Sequence, residues 1–286
     1  MIFWLASYPK SGNTWIRSLL AAYLYSEEGN FKFDLLKNIK QFSINSKKLD
    51  EKNLSQGQEK IYKNWIPFQK KINQDNKLHI LKTHNALCSI NGYKFTDKNN
   101  TIGAIYIVRD PRNLILSIAH HYSLSFEEAY EFLSNKKKII FPLKLGKQNK
   151  NPQQIDDFNF LGNWSEHYKS WKNINFCPVK IIKYEDMLEN DHEVFLSILD
   201  YLSKFMKISL DKKKINNTIA TTKFKKLSHM EDKKGFEESV FSQKTNEKLK
   251  FFNLGKKNDW KRLLDNKIIK KVEQNFGKEM KELNYL

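Results

Sequence analysis

An α/β fold, with a central parallel β-sheet flanked by helices in three layers, is predicted by three observations. Short apolar runs recur at residues 2–6, 78–81, 104–108 and 179–182. Each run ends in a polar cluster, and a helical pattern follows it. The runs are almost continuously apolar, as strands buried on both faces require, so they fit a parallel sheet covered by helices on each side. Ligands of such sheets collect outside the carboxyl ends of the strands, which is where every polar cluster falls.

The first run, Ile2-Phe3-Trp4-Leu5-Ala6, lacks a basic leader and is far shorter than the roughly 20 residues of a membrane span, so it reads as a buried strand. It breaks at Pro9 and Gly12 and restarts as a helix over residues 15–25. A strand, loop and helix arranged in this way aim several backbone N–H groups and a positive helix end at one point, which suits a phosphate or sulfate. A Walker A loop would read G-x-x-x-x-G-K-[ST], with its lysine after the last glycine and a hydroxyl for magnesium. Here Lys10 precedes Gly12 and Asn13 follows it, so the loop grips a different anion.

The second run leads into Lys82-Thr83-His84 and the third into Arg109-Asp110-Pro111. Asp110 is a helix cap and Pro111 suits a first turn, so a helix starts there and carries Ser117 about two turns on. Arginine is a fixed bidentate donor for phosphate, and Ser117 adds a hydroxyl if the helix passes alongside. An isolated R-D-P fits equally well an ion pair of Arg109 with a nearby acid. The fourth run leads into Lys183-Tyr184-Glu185-Asp186, and residues 264–283 repeat apolar positions at helical spacing, as a packing helix does.

Composition limits the alternatives. A chain of 286 residues without a visible linker reads as one domain, 1–286. Its net charge of +18 raises a nucleic-acid-binding reading, but only four of its 50 basic residues are arginine and the lysines are scattered. A nucleic-acid binder concentrates charge in a patch with arginine or aromatic groups for bases. The lysine runs at 136–138 and 212–214 therefore read as solvated surface, in a field that still steers anions inward. Cys88 and Cys177 lack metal-ligand spacing and fit buried thiols of a reducing, cytoplasmic compartment; no metal is expected.

Taken together, these motifs resemble the sulfotransferases that use 3′-phosphoadenosine 5′-phosphosulfate. Tyr8-Pro9-Lys10-Ser11-Gly12-Asn13-Thr14-Trp15 is similar to that family's 5′-phosphosulfate loop, and Arg109 with Ser117, eight residues on, resembles its 3′-phosphate motif. Lys82-Thr83-His84 resembles the segment carrying the family's general base. Gly162-Asn163-Trp164-Ser165-Glu166-His167 and Lys183-Tyr184-Glu185-Asp186-Met187 follow in family order, and Thr222 with Phe224 is similar to an adenosine-contacting T-x-F element. The resemblance covers most of the chain and implies a P-loop-NTPase-like architecture.

It also implies roles. Lys10 neutralises charge growing on the leaving phosphate, His84 takes the acceptor's proton and Lys82 assists at the transferring group. An ordinary imidazole, with a pKa of about 6.5, is well matched to that task near neutral pH. Pro9 through Trp15, Arg109, Ser117, Tyr184, Thr222, Phe224, Gly255, Lys256 and Lys257 hold the donor, with no metal required.

The carboxyl end departs from the family pattern. Relatives carry R-K-G ahead of G-D-W, whereas Asn253-Leu254-Gly255 stands here ahead of Asn258-Asp259-Trp260. Lys256 or Lys257 is the candidate replacement for the two missing cations. His120 and His121 are candidates to face the acceptor, with at least one of them structural. Trp164, Trp171, Phe158 and Phe160 fit either a core cluster or the acceptor wall. Two rival classes stand beside the resemblance: a P-loop-like phosphotransferase and a basic nucleic-acid-binding protein. The acceptor, a small-molecule, glycan or lipid hydroxyl or an amine, would meet residues 31–74 and 126–160, and the oligomeric state is open.

Overall fold

A computed structural model of the chain describes residues 1–44, 58–141, 157–242 and 245–286. The main sheet has four strands, β1 (Ile2–Ser7), β2 (His79–Thr83), β3 (Thr101–Val108) and β4 (Val179–Lys183), in the order β2-β1-β3-β4. All three pairings are parallel. The four strands are the four apolar runs. Ala6 lies opposite both Thr83 and Tyr106, and Val108 lies opposite Lys183, so the carboxyl ends stop side by side.

Alternation along the strands divides the core into two. On one face Trp4, Ala6, Ala104 and Tyr106 pack with the helices α2 (Pro111–Tyr122), α3 (Trp164–Lys172) and α5 (Asn266–Glu282). On the other, Phe3, Leu5, Ile105 and Ile107 pack with α1 (Asn13–Tyr25) and α4 (Asp191–Ser203). Every residue of β1 is buried, as a strand covered on both faces requires. Trp4 fills one face and donates from its indole Nε1 to Thr101 Oγ1 at 2.8 Å, which satisfies the only polar atom it takes inside.

Helix starts follow the capping chemistry of the sequence. The Asp110 side chain accepts from Arg112 N at 2.9 Å with Pro111 in the first turn of α2. Asp265 caps α5 in the same way through Ile268 N. Among the described residues no helix is long and apolar enough to cross a membrane. Residues 45–57 and 142–156, inside the two stretches expected to meet the acceptor, lie outside the described residues.

Candidate active site

The loop after β1 is shaped by two residues in the left-handed region, Lys10 (φ 68°) and Gly12 (φ 102°). A lysine there costs roughly 1–2 kcal/mol and is held by an outside partner, since Arg109 Nη1 donates to the Lys10 carbonyl at 3.0 Å. Glycine is required at position 12 for a second reason. A Cβ there would stand 2.4 Å from the Tyr184 ring. No side chain caps α1, and although Trp15 N turns back onto Gly12 O at 3.0 Å, the N–H groups of Asn13 and Thr14 stay available to an anion. Asn13, standing where a Walker lysine would be, bends back and donates to Leu5 O (3.0 Å) and Ser7 Oγ (3.2 Å), tying the loop to its strand.

The loop opens on a cavity of about 1160 Å³. Pro9, Lys10, Gly12, Asn13, Thr14 and Trp15 line it from the loop. The strand ends add Lys82, His84, Arg109 and Tyr184, and α2 adds Ser117. Phe224, Gly255, Lys256 and Lys257 complete the far wall. Two of the residues assigned to the donor are not on it. Ser11 is fully buried with its hydroxyl unpartnered among the described residues, and Thr222 is fully buried with its hydroxyl turned back on Thr218 O at 2.7 Å.

His84 is fixed at its proximal nitrogen. Nδ1 lies 2.8 Å from the Ser7 carbonyl, which only accepts, so Nδ1 carries the proton and the neutral ring keeps its lone pair on Nε2. Burial pushes the imidazole down to about 3, well below the ordinary value expected from sequence, so the ring is neutral throughout the physiological range. Helix α3 clamps the backbone on which His84 stands. His167 Nε2 donates to His84 O (3.0 Å), Trp171 Nε1 donates to Asn85 O (3.0 Å), and Leu87 N donates to Ser170 Oγ (2.9 Å). Trp164, Trp171 and Phe158 are buried in the core and Phe160 packs against it. The aromatic cluster thus backs the segment that carries His84 instead of lining the cavity.

Cations converge on the loop. Lys10 Nζ lies 3.7 Å from the centre of the Phe251 ring and 3.5 Å from His121 Nδ1. Burial, opposed by Glu238, pushes its ammonium down to about 7. Lys82, 4% exposed, pairs with Glu238 at 3.0 Å. The same carboxylate oxygen accepts from Thr14 Oγ1 at 3.0 Å, and the other accepts from Arg17 Nη1. His121 therefore faces Lys10, while His120 Nε2 is bonded to the Lys250 carbonyl at 2.9 Å and anchors α2 to the far wall. Burial pushes His121 well below its ordinary value.

At the second cationic point, Arg109 does not pair with Asp110, which is taken by Arg112 at 2.7 Å. Its guanidinium lies 4.2 Å from the Tyr184 ring centre, and Nη1 donates to Ser117 Oγ at 3.0 Å. Arg109 Nε is buried and without a partner among the described residues. A buried arginine with an idle N–H beside a hydroxyl is suited to an anion with several oxygens. Trp15 and Phe224 share the cavity, and a Cβ on Gly255 would meet the Phe224 ring at 2.6 Å. The arrangement brings Lys10, Arg109, Trp15, Phe224 and the neutral His84 ring to one cavity. Glu238, Arg17 and Asn258 are not marked by local sequence, because the bonds that bring them to the site, to Thr14, Lys82, Glu238 and Ser117, span 141 to 224 residues.

The model of a sulfotransferase domain matches residues 2–284. A flavonol 3-sulfotransferase of Flaveria bidentis is 26% identical over 289 residues, covering 94% of this chain and 78% of that protein. In solved structures, a mouse sulfotransferase SULT7A1 complexed with PAP is similar with a TM-score of 0.60 and 19% identity, covering 98% of this chain and 83% of that one. A retinol dehydratase in complex with androsterone and the inactive cofactor PAP is similar at the same TM-score and 18% identity, covering 98% and 80%.

Proposed function

The chain belongs to the sulfotransferase domain family, and from that membership we propose that residues 1–286 form one domain that uses 3′-phosphoadenosine 5′-phosphosulfate to sulfate a small-molecule, glycan or lipid hydroxyl, or an amine. The observation that carries this reading is the bond from Arg109 Nη1 to the Lys10 carbonyl, which links the two anion cradles across one cavity at a fixed separation. A ligand with an anion at each end and an aromatic base between suits such a site. The idle Arg109 Nε and the uncapped end of α1 leave N–H donors for both ends.

Bound there, the donor supplies an SO₃ group attached to a phosphate leaving group. The residues of this chain then have separate tasks. His84 Nε2, with its partner nitrogen held by Ser7, takes the proton of the acceptor hydroxyl as its oxygen bonds to sulfur. The Lys10 ammonium and the first-turn N–H groups of α1 face the charge that grows on the departing phosphate oxygen. A preorganised donor of this type is worth roughly 3–4 kcal/mol of barrier. Lys82 adds positive charge beside the base. Arg109 and Ser117 hold the 3′-phosphate, with Tyr184 under the guanidinium and Trp15 and Phe224 against the base ring.

The test is transfer itself. Incubation with sulfur-labelled donor and a fractionated acceptor extract is expected to label an organic product, and Lys10→Ala is expected to abolish the label. Labelling that Lys10→Ala leaves unchanged removes the loop from the reaction.

A further inference from the structure

The stretch replacing R-K-G has neither cation of that motif, yet the segment after it reaches the second anion cradle by another route. A short turn, residues 255–257, carries Lys256 and Lys257 at the cavity rim, where both are exposed. The group that reaches inward is the next residue. Asn258 Nδ2 donates to Ser117 Oγ at 2.7 Å. The segment is pinned there by Trp260 N, which donates to Asn113 Oδ1 at 3.1 Å, and by the Arg112 guanidinium lying 3.8 Å from the Trp260 ring centre.

A serine hydroxyl has two acceptor lone pairs and one O–H. At Ser117 both lone pairs are engaged, one by Arg109 Nη1 at 3.0 Å and one by Asn258 Nδ2 at 2.7 Å. Its proton cannot point at either donor, so it is directed at a third position. Arg109, which makes the first of these bonds, is 6% exposed and keeps its Nε unpartnered among the described residues. Two N–H···O bonds thus aim the hydroxyl proton where an anionic oxygen is wanted.

We propose that Asn258 is a positioning residue of the donor site, whose amide turns the Ser117 hydroxyl toward the 3′-phosphate and so offsets in part the cations missing at Asn253 and Leu254. The inference rests on the donor reading above. Glycine, the family's residue ahead of D-W, has no side chain to do this. The carboxylate of an aspartate would accept where the amide donates and would add a negative charge next to the phosphate.

Calorimetric titration with 3′-phosphoadenosine 5′-phosphate tests it, with thermal melts confirming that each variant is folded. Asn258→Ala and Asn258→Gly are expected to weaken binding about tenfold, the value of one well-placed hydrogen bond to a charged group, and Asn258→Asp more. In a Ser117→Ala background the same Asn258→Ala change is expected to alter binding by less than about twofold, because the hydroxyl it orients is gone. Adenosine 5′-phosphosulfate, which lacks the 3′-phosphate and is measured by competition, is expected to bind both proteins alike. Unchanged binding by Asn258→Ala, a full additional loss in the Ser117→Ala background, or equal loss for both nucleotides overturns the assignment. A wild-type protein that binds neither nucleotide overturns the donor reading itself, which is a different result.

Discussion

Lys82 and Glu238, 156 residues apart, form an ion pair of 3.0 Å inside the cavity. Glu238 also takes the hydroxyl of Thr14, so a carboxylate of the protein itself sits against the Lys10 loop. Burial pushes that carboxylate up, but Lys82 and Arg17 outweigh it and hold it well below the usual range, so it is ionised at any working pH. Lys82 is pushed down by burial and partly restored by Glu238.

Glu238→Gln removes the carboxylate shared by Lys82 and Arg17 and acting on Lys10. The variant is expected to bind 3′-phosphoadenosine 5′-phosphate several-fold more tightly, because the nucleotide no longer competes with a fixed anion. It is also expected to lose about 1–3 kcal/mol of stability as two buried cations lose their partner. Titration and denaturant unfolding of the same preparation read both, and weaker nucleotide binding contradicts the competition.

Lys10 gives a pH dependence whose sign is fixed. Its folded pKa of about 7 lies below the unfolded value of 10.5, so between these values the unfolded chain holds the extra proton and this group's contribution to stability rises with pH. An anion in the loop favours the ammonium and reverses the shift. Nucleotide affinity is therefore expected to fall as pH rises above 7, and binding at pH 8 is expected to take up nearly one proton. Calorimetry in buffers of different ionisation enthalpy measures that uptake, and Lys10→Ala is expected to abolish it.

For His84, replacement by Ala or Asn is expected to lower turnover about 10²–10⁴-fold while nucleotide binding persists. The acid limb of the rate profile is expected to be flat down to about pH 5, because the ring gains its proton only near 3. A limb centred near 6.5 contradicts the buried, Ser7-bonded base.

At Gly12, alanine meets both a positive φ and the Tyr184 ring. Gly12→Ala is expected to cost about 1–3 kcal/mol and to weaken nucleotide binding by displacing Tyr184 from beneath Arg109. Melting and titration check the two effects, and a wild-type result in both dissociates the glycine from the aromatic wall.

The parts of the site that the sequence made legible are those whose chemistry is local. Pro9 and Gly12 between an apolar run and a helix, Asp110-Pro111 at a helix start, and the polar end of each strand follow from backbone rules operating over a few residues. Glu238 was not legible, because nothing near it distinguishes it from other acids; its partners come from α1 and β2. Thr222 has the T-x-F spacing, while its hydroxyl bonds Thr218 O in the helix before it, a contact that spacing does not disclose. His167 was noted only within a motif, and its bond to the carbonyl of His84 appears once β2 and α3 are packed. The expectation of an ordinary imidazole at His84 failed because burial is a property of the whole fold.

Whether one cavity holds a nucleotide by separate cradles at Lys10 and Arg109 is decided by calorimetry with 3′-phosphoadenosine 5′-phosphate on wild type and Arg109→Ala. Saturable one-to-one binding by the wild type, weakened at least about 100-fold in the variant through loss of charge-assisted bonds, is the predicted result. Equal binding by both proteins, or no nucleotide binding alongside strongly salt-dependent binding of long polyanions, would contradict it.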